Sequence, residues 1–246
     1  MNKTKFYDSI RETFKLTSKN VEGFDFILDE ALKRDTPIND LAYILATVWW
    51  ETAHTMQPIE EYGKGKGRAY GSKHPVTGKT YYGRGYVQLT WYDNYLKAGA
   101  KLGVDLVHNP ELTLRPEIAI RILFEGMYEG WFTGKSIRDF IDLIDEDYKE
   151  DLREFSNARR IINGTDKQVI IGQLAISFEG ALRVSDYEGL VVSPPLIETP
   201  VRPPVAPVEP IPGDEELAIT LTVNDLSNVT LLDFLNALNS LKHGAL

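Results

Sequence analysis

The chain has 246 residues, of which 43% are hydrophobic and 11% aromatic. A chain of this length can bury roughly 70 to 75% of its extended surface, and the composition is globular rather than disordered. The net charge of -9 argues against a general nucleic-acid binder, and the lack of cysteine excludes disulfides and thiolate metal sites. Because the four histidines lack metal-ligand spacing, we expect no metal and no cofactor.

The N-terminal part of the chain predicts helices and no export signal. MNKTKFYDSIRETF lacks the apolar core of a secretory signal. The sequence also lacks an apolar run of about 18 residues, so no transmembrane segment is expected. Apolar residues recur at spacings of three and four from Phe6 to Phe14 and from Val21 to Lys33, which predicts two helices, the second capped by Ser18.

A third predicted helix ends in a glutamate. Apolar residues between 41 and 48 recur at helical spacing, with Asn39 or Asp40 as the N-cap. Glu51 continues the stripe that should face the core, so its carboxyl group is expected to be withdrawn from water beside two tryptophans. Desolvation favours the protonated form of a carboxyl group, which is the form that a general acid needs.

A second glutamate, Glu60, follows beyond Pro58, where the helix cannot continue. Two carboxyl groups in different environments are the usual machinery for cleaving a glycosidic bond. The spacing alone leaves a plainer interpretation open, in which Glu60 and Glu61 are solvated and Glu51 merely ends a helix.

The segment after these glutamates, residues 62 to 84, is basic and contains no acidic residue. One interpretation is a glycine-rich, mobile surface loop. The other is a flap over a cleft, whose positive charge attracts an anionic glycan in a salt-sensitive way. The basic residues are Lys64, Lys66, Arg68, Lys73, Lys79 and Arg84.

A short strand is predicted next, because polar and apolar residues alternate from Tyr86 to Thr90. Tyr86, Gln88 and Thr90 should then share one face. Helical spacing resumes after Thr90 and places Asn94 further along the same side. Gln88, Thr90 and Asn94 would form a row of neutral hydrogen-bonding groups suited to sugar hydroxyls and to holding one water.

These motifs resemble a known family. ETAHT and EEYG, followed by YYGRGYVQLTWYDNY and by ARRIINGTD at residues 158 to 166, are similar to the glycoside hydrolase family 19 chitinases, and more closely to their bacteriophage endolysin branch. The resemblance covers roughly residues 1 to 190. It implies a mainly α, lysozyme-like fold with a small β-element at the cleft, in a catalytic domain of residues 1–192.

The resemblance also implies a role for each matching residue. Glu51 would be the general acid, Glu60 the general base that activates water, and Thr90 a residue that helps to hold this water. Ala53 and His54 replace a glycine pair of the plant enzymes, which puts the cleft shape and the substrate in question. The implied substrate-binding residues are Gln88, Asn94, Asn163, Tyr82 and Lys135, and the residues implied to support the site are Arg84 and Arg160.

Further helices are predicted from Trp91 to Leu102, ended by Gly103, and from Pro116 to Tyr128. The aromatic segment of residues 128–135 is expected to be a packed turn, with the alternative that Trp131 or Lys135 reaches the cleft. Acid-rich residues 139–154 are expected to form a solvated helix face.

Two adjacent arginines, Arg159 and Arg160, follow this acidic segment and need partners. A plain surface pair is the alternative to the favoured interpretation, in which one arginine anchors a catalytic carboxylate and Arg160 is assigned to support the site.

The C-terminal part of the chain predicts a linker and a docking segment. Residues 193–213 hold eight of the 13 prolines and predict an extended spacer. Residues 214–246 are too short to fold alone, although their last part predicts an amphipathic helix. This helix could pack on the catalytic domain, self-associate or dock on a partner, and these three alternatives remain open.

The sequence therefore predicts a glycoside hydrolase (EC 3.2.1) that cleaves β-1,4 bonds of peptidoglycan strands by an inverting acid/base mechanism, for bacterial lysis. Because it lacks an export signal, it is expected to wait in the host cytoplasm and to act on the periplasmic wall after release. The alternatives are a chitinase acting on chitin, and a catalytically inactive glycan-binding or virion structural protein.

Overall fold

The computed structural model describes residues 1–144 and 147–189, all within a compact unit of Met1–Ser193. The described residues are mainly helical, which confirms the predicted fold class. The predicted linker and docking segment, residues 193–213 and 214–246, lie outside the described residues. The helices are α1 (Lys3–Phe14), α2 (Ser18–Lys33), α3 (Ile38–Glu51), α4 (Tyr92–Leu102), α5 (Pro116–Glu129), α6 (Tyr148–Ala158) and α7 (Gln168–Val184), and the strands are β1 (Ile59–Glu60) and β2 (Arg84–Gly85).

Helix α3 is the centre of the fold, because every residue from Asn39 to Trp49 is buried. It packs against α7 and α6 and carries polar groups, among them Thr47, into the interior. The predicted cap is wrong: α3 begins after Pro37, and Asn39 and Asp40 lie within its first turn without capping it. Proline supplies an extended residue that the helix can follow directly, since its ring fixes φ near -65°.

The other predicted helices are confirmed with small changes at their ends. The cap of α2 is Thr17 rather than Ser18, and Thr17 and Asn20 form a capping box. Helix α4 ends at Gly103, whose φ of 68° is the left-handed conformation that glycine adopts without strain, and α5 begins with Pro116 in its first turn.

The predicted strand from Tyr86 to Thr90 is wrong, because the chain turns there. Arg84 and Leu89 exchange both backbone hydrogen bonds, at 3.2 and 2.8 Å, and the residues between them form a turn. Gly85 and Gln88 have φ angles of 82° and 52°, which reverse the chain direction. Alternation of polar and apolar residues does not report positive φ angles, so the pattern predicted an extended segment.

The two short strands pair in an antiparallel arrangement, with Ile59 opposite Gly85 and Glu60 opposite Arg84. This pairing places the loop between the strands, residues 61–83, next to the start of α4. The small β-element is thereby confirmed.

The acid-rich segment is not simply a solvated face. In α6, Asp151 and Glu154 are only 3% and 7% exposed. The helix turns Phe155 and Ala158 into the core, and Glu154 accepts a hydrogen bond from the backbone N–H of Asp142. The burial of these two acids was not predicted, because a dense run of charge hides which members lie on the inner side.

Candidate active site

A polar cleft of about 410 Å³ lies at the C-terminal end of α3. It brings together five residues that were predicted to belong to the site: Glu51, Gln88, Thr90, Asn94 and Asn163. The cleft is also lined by residues that the sequence did not single out, of which the aromatic ones are Tyr70, Trp91 and Phe132.

Glu51 is the last residue of α3, and its side chain is 15% exposed. Its Oε1 atom accepts a hydrogen bond from Nη1 of Arg159 at 2.5 Å. Within residues 1–144 and 147–189, no hydrogen bond to the Oε2 atom is found, so this oxygen is available to a ligand in the cleft. One carboxylate oxygen is thus fixed, while the other makes no hydrogen bond within the described residues.

Arg159 is almost fully buried, with 1% of the residue exposed. It begins the short 3₁₀ turn Arg159–Ile161 after α6, and its Nε atom donates to the carbonyl oxygen of Asp166 at 3.0 Å. The preceding carbonyl, of Ala158, accepts a hydrogen bond from the buried hydroxyl of Tyr43 on α3. The guanidinium group is therefore held by the Asp166 carbonyl as well as by Glu51, and the backbone just before Arg159 is tied to α3.

The assignment of Arg160 as the supporting arginine is wrong in position. Arg160 bonds back to its own helix, with Nη1 2.6 Å from Oδ1 of Asn157. Adjacent residues of a helical turn point in different directions, and here the first of the pair points inward. The expectation that one of the two arginines meets a candidate catalytic carboxylate is satisfied by Arg159.

The row of neutral polar groups lies in the cleft, although its backbone is not a strand. The Gln88 side-chain amide donates to the carbonyl oxygens of Ile59 and Gly85 at 3.1 and 3.2 Å. The hydroxyl of Thr90 donates to the Gln88 carbonyl at 2.7 Å, and the amide of Asn94 donates to the Thr90 carbonyl at 2.9 Å. These donors face the protein, so the side-chain oxygens can accept hydrogen bonds from sugar hydroxyls or water.

Glu60 lies in β1 next to the cleft, but its side chain is not part of the cleft lining. Its Oε1 atom accepts a hydrogen bond from the Tyr82 hydroxyl at 2.7 Å, and its Oε2 atom lies 2.8 Å from Nζ of Lys64. Arg84 adds a second cation, with Nε 3.5 Å from Oε1. The hydrogen bonds from Lys64 and Tyr82 lower the pKa of Glu60, so the carboxylate is held ionised, as a general base must be.

Arg84, in β2, and Tyr82, two residues before it, are buried and support Glu60. The Arg84 guanidinium lies 3.6 Å from the centre of the Tyr82 ring and donates to the hydroxyl of Tyr95 at 2.9 Å. Tyr82 was predicted to bind substrate, but in the structure its hydroxyl is used by Glu60 and it does not line the cleft. Arg84, which was predicted to support the site, lies 3.5 Å from Oε1 of Glu60.

The basic segment forms a loop in which Gly65 and Gly71 are in close contact. Gly71 lies so close to Gly65 that a Cβ atom at residue 71 would be 2.0 Å from the Gly65 carbonyl oxygen. Tyr70 donates to Oε1 of Glu61 and contacts Trp91 edge to face at 5.3 Å, so the loop reaches the cleft wall. The exposed cations of this loop that pair with no carboxylate in the described parts of the chain are Lys66, Arg68, Lys73 and Lys79.

The aromatic segment after α5 is a packed turn in which the cleft residue differs from the prediction. Trp131 is 3% exposed and donates to Glu129, and Lys135 is exposed and lies outside the cleft lining. Phe132 lines the cleft instead. The sequence shows two adjacent aromatic residues, Trp131 and Phe132, either of which could have been predicted to line the cleft. Nothing in the sequence decides which of the two rings turns outward.

Residues 1–144 and 147–189 hold neither a metal-binding cluster nor a membrane-spanning helix. No group of three or more histidine or acidic side chains there is arranged to hold a metal ion. No helix in the same residues is long and apolar enough to cross a membrane.

Comparison with known proteins decides the family. A family model described as chitinase class I, of glycoside hydrolase family 19, matches residues 59–186, which is more than half of the chain. The chain belongs to glycoside hydrolase family 19. The resemblance to family 19 is thereby confirmed, whereas the closer resemblance to the bacteriophage endolysin branch stays a prediction.

The family 19 relatives match over short segments. An endochitinase of Arabidopsis thaliana is 36% identical over 85 residues, which are 34% of this chain and 28% of the relative. An inactive chitinase-like protein of Hevea brasiliensis is 43% identical over 56 residues, or 23% of this chain and 17% of the relative. The match therefore spans less than a third of the length of these curated relatives.

Two solved structures of family 19 enzymes are similar to this chain at low identity. Chitinase C of Streptomyces griseus is 21% identical with a TM-score of 0.49, over 77% of this chain and 78% of that one. A bacterial family 19 chitinase is 20% identical with a TM-score of 0.45, over 76% of this chain and 95% of that one.

Proposed function

We propose that the protein is an inverting glycoside hydrolase that cleaves β-1,4 bonds between N-acetylated sugars. The observation that carries this proposal is the position of Glu51, with one oxygen fixed by Arg159 and the other open to a cleft lined by Gln88, Thr90 and Asn94. A glycan chain offers many hydroxyl and amide groups and no strong apolar surface, which matches a cleft of neutral polar side chains with aromatic walls.

In the proposed mechanism Glu51 protonates the oxygen of the leaving sugar. Glu60, kept ionised by its neighbours, accepts a proton from a water molecule that attacks the opposite face of the ring. The Thr90 hydroxyl already donates to the Gln88 carbonyl, so its oxygen would accept a hydrogen bond from that water. The bond between the sugar carbon and the leaving oxygen breaks as the bond to water forms, and the anomeric configuration inverts.

We further propose that the substrate is the glycan of peptidoglycan and that the protein is an endolysin. Four exposed cations on the loop beside the cleft support this, because peptidoglycan carries carboxylates on its peptides and chitin carries none. An endolysin would be made in the cytoplasm of the host and would reach the periplasmic wall after release.

Chitin is the second candidate substrate, because the Arabidopsis thaliana relative is named an endochitinase. A catalytically inactive glycan-binding protein is the third, because a Hevea brasiliensis relative is described as inactive. The replacement of a glycine pair by Ala53 and His54, two and three residues after the candidate acid, supports this third candidate.

The deciding experiment is lysis of outer-membrane-permeabilised Gram-negative cells, followed as a fall in turbidity. Wild-type protein is expected to clear the suspension, whereas Glu51→Gln and Glu60→Gln are expected to stay folded and to lose a factor of about 10² to 10⁴ in rate. Glu51→Gln should also have a lower unfolding free energy, because it leaves the buried Arg159 without its charged partner. Glu12→Gln, an exposed residue of α1, removes the same charge away from the cleft and serves as the control.

Parallel assays separate the candidates. Release of reducing sugar from chitin oligosaccharides without cell lysis would favour the chitinase. Binding to purified peptidoglycan without cleavage of either substrate would favour the inactive glycan-binding protein. Mass spectrometry of the fragments identifies which bond of the glycan is cut, and the anomeric form of the first product tests inversion.

A further inference from the structure

Among the described residues, Lys64 is the only cation within the loop of residues 61–83 whose side chain reaches Glu60. Its Nζ atom lies 2.8 Å from Oε2 of Glu60, and its side chain is 62% exposed. The other charged or titratable groups that face Glu60 come from β2 and its approach: Tyr82 on Oε1 at 2.7 Å and Arg84 at 3.5 Å. Each oxygen of Glu60 is therefore held by a separate part of the chain, and Oε2 is held from the loop alone.

The backbone at Lys64 is bent back to make this contact. Its φ angle of 47° is left-handed, and its N–H donates to the carbonyl oxygen of Glu61 at 2.9 Å, which closes a tight turn. A residue with a Cβ atom is disfavoured in this conformation relative to glycine. Gly63 directly precedes Lys64, but the left-handed conformation falls on the lysine, which carries the ammonium group.

The chain beyond Lys64 is fixed as well. Gly65 has a φ angle of 68° and lies against Gly71, and Tyr70 returns to Glu61 through its hydroxyl at 3.1 Å. The turn that presents Lys64 is thereby anchored on both sides. The ion pair follows from this built geometry rather than from a free side chain that meets a carboxylate by chance.

We propose that Lys64 is a positioning residue of the reaction, which acts through Glu60 by orienting its Oε2 atom and by keeping the carboxylate ionised from the loop side. The catalytic meaning of this assignment rests on the function proposed above. The Lys64 hydrogen bond is the largest cause of the lowered pKa of Glu60, and Tyr82 is the next. A carboxylate accepts up to about four hydrogen bonds, so Oε2 can serve both Lys64 and the attacking water.

Removal of the Lys64 ammonium group is expected to change the pH dependence of the activity in one direction. Loss of the ammonium group raises the pKa of Glu60 toward its ordinary value, so a smaller fraction of the base is ionised at acidic pH. The acid limb of the profile of kcat/KM against pH reports the pKa of the general base in the free enzyme. This limb should therefore move to higher pH when the lysine is removed.

The test compares Lys64→Met, Lys64→Gly and Lys64→Arg with wild type. Met removes the charge at similar length, Gly also relieves the backbone strain and so protects folding, and Arg keeps the charge. Met and Gly are expected to shift the acid limb upward and to lower the activity at about pH 4.5 by up to about twofold relative to that at about pH 7, because a carboxyl group at its ordinary pKa of 4.5 is half ionised there. Arg keeps the limb near its wild-type position.

Lys101→Met is the matched control, because Lys101 forms a similar exposed pair with Glu129, at 2.7 Å, away from the cleft. It should leave the profile unchanged. A second readout follows the carboxyl carbon of Glu60 by NMR during a pH titration, which needs no activity.

The outcomes separate the two proposals. If wild type cleaves no glycan, the proposed function fails, and the NMR titration alone decides whether Lys64 controls Glu60. An unmoved Glu60 titration in Lys64→Met and Lys64→Gly would overturn the assignment. So would a loss of activity that is equal at every pH.

Discussion

Arg159 and Glu51 form an ion pair of 2.5 Å between two residues that lie 108 positions apart in the chain. The pair joins the end of the central helix α3 to the 3₁₀ turn that precedes Asn163, and both Glu51 and Asn163 line the cleft. The arginine side chain is 2% exposed and the glutamate side chain 15% exposed. The candidate acid and the far wall of the cleft are thus held by a single buried contact.

Replacement of Arg159 by leucine is expected to destabilise the protein and to abolish activity. Removal of one partner from a buried pair leaves the other uncompensated, which costs about 3 kcal/mol of unfolding free energy. Urea unfolding measures this cost. The double variant Arg159→Leu with Glu51→Gln should be less destabilised than the sum of the two single variants, because the unpaired charge is then absent. Full additivity would show that the pair contributes nothing to stability.

Thr90→Val is expected to lower kcat by about tenfold or more with little change in stability. The two side chains are nearly the same size, but valine cannot accept a hydrogen bond from the attacking water. Thr90→Ser keeps the hydroxyl and should retain most of the activity. Steady-state kinetics on a defined oligosaccharide measures both variants, and equal rates for the valine and serine variants would remove Thr90 from the mechanism.

Gly71→Ala is expected to disturb the basic loop. Its new Cβ atom would lie 2.0 Å from the Gly65 carbonyl oxygen, and such overpacking costs about 1 to 3 kcal/mol. Gly63→Ala is the control, because a Cβ atom there meets nothing within 4 Å. Limited proteolysis should cut Gly71→Ala faster within residues 62–80 than wild type or Gly63→Ala. The same rate for both variants would mean that the contact does not fix the loop.

Asp40→Asn is expected to change how stability depends on pH. Burial raises the pKa of Asp40 to about 6, against the opposing effect of Arg138 and of the Tyr128 hydroxyl. The folded protein therefore holds this proton more tightly than the unfolded chain, so the contribution of Asp40 to stability is full below about pH 4 and is lost as the pH rises through about 6.

Asparagine imitates the protonated acid and does not titrate. Wild type loses stability between about pH 4 and pH 7, whereas the variant does not. The unfolding free energy of Asp40→Asn minus that of wild type should therefore increase by on the order of 2 kcal/mol over this range. Chemical unfolding of both proteins across this range measures the difference. A difference that stays constant with pH would contradict the raised pKa.

Local rules predicted the helices well, because their ends are set by single residues. Gly103 ends α4 and Pro116 begins α5, and both effects act within one turn of the chain. The family motif likewise placed Gln88, Thr90 and Asn94 in the cleft, although the turn at residues 86–88 depends on a positive φ at Gln88 that no side-chain pattern reports.

Other parts of the site depend on contacts between distant segments. Nothing local distinguishes Arg159 from Arg160, and the choice is made where α6 packs beside α3. The same holds for Phe132, which turns outward while Trp131 packs inward. Tyr70 joins the cleft only because the loop folds back at Gly65 and Gly71.

The burial of α3 on all sides links the chemistry of this protein to its folding. Glu51 is the continuous end of a helix whose residues from Asn39 to Trp49 are all enclosed by the core. A rise in temperature that loosens this core must displace the proton donor in the same event. Heat inactivation and the main calorimetric transition are therefore expected to coincide, without an inactive intermediate that keeps its native core.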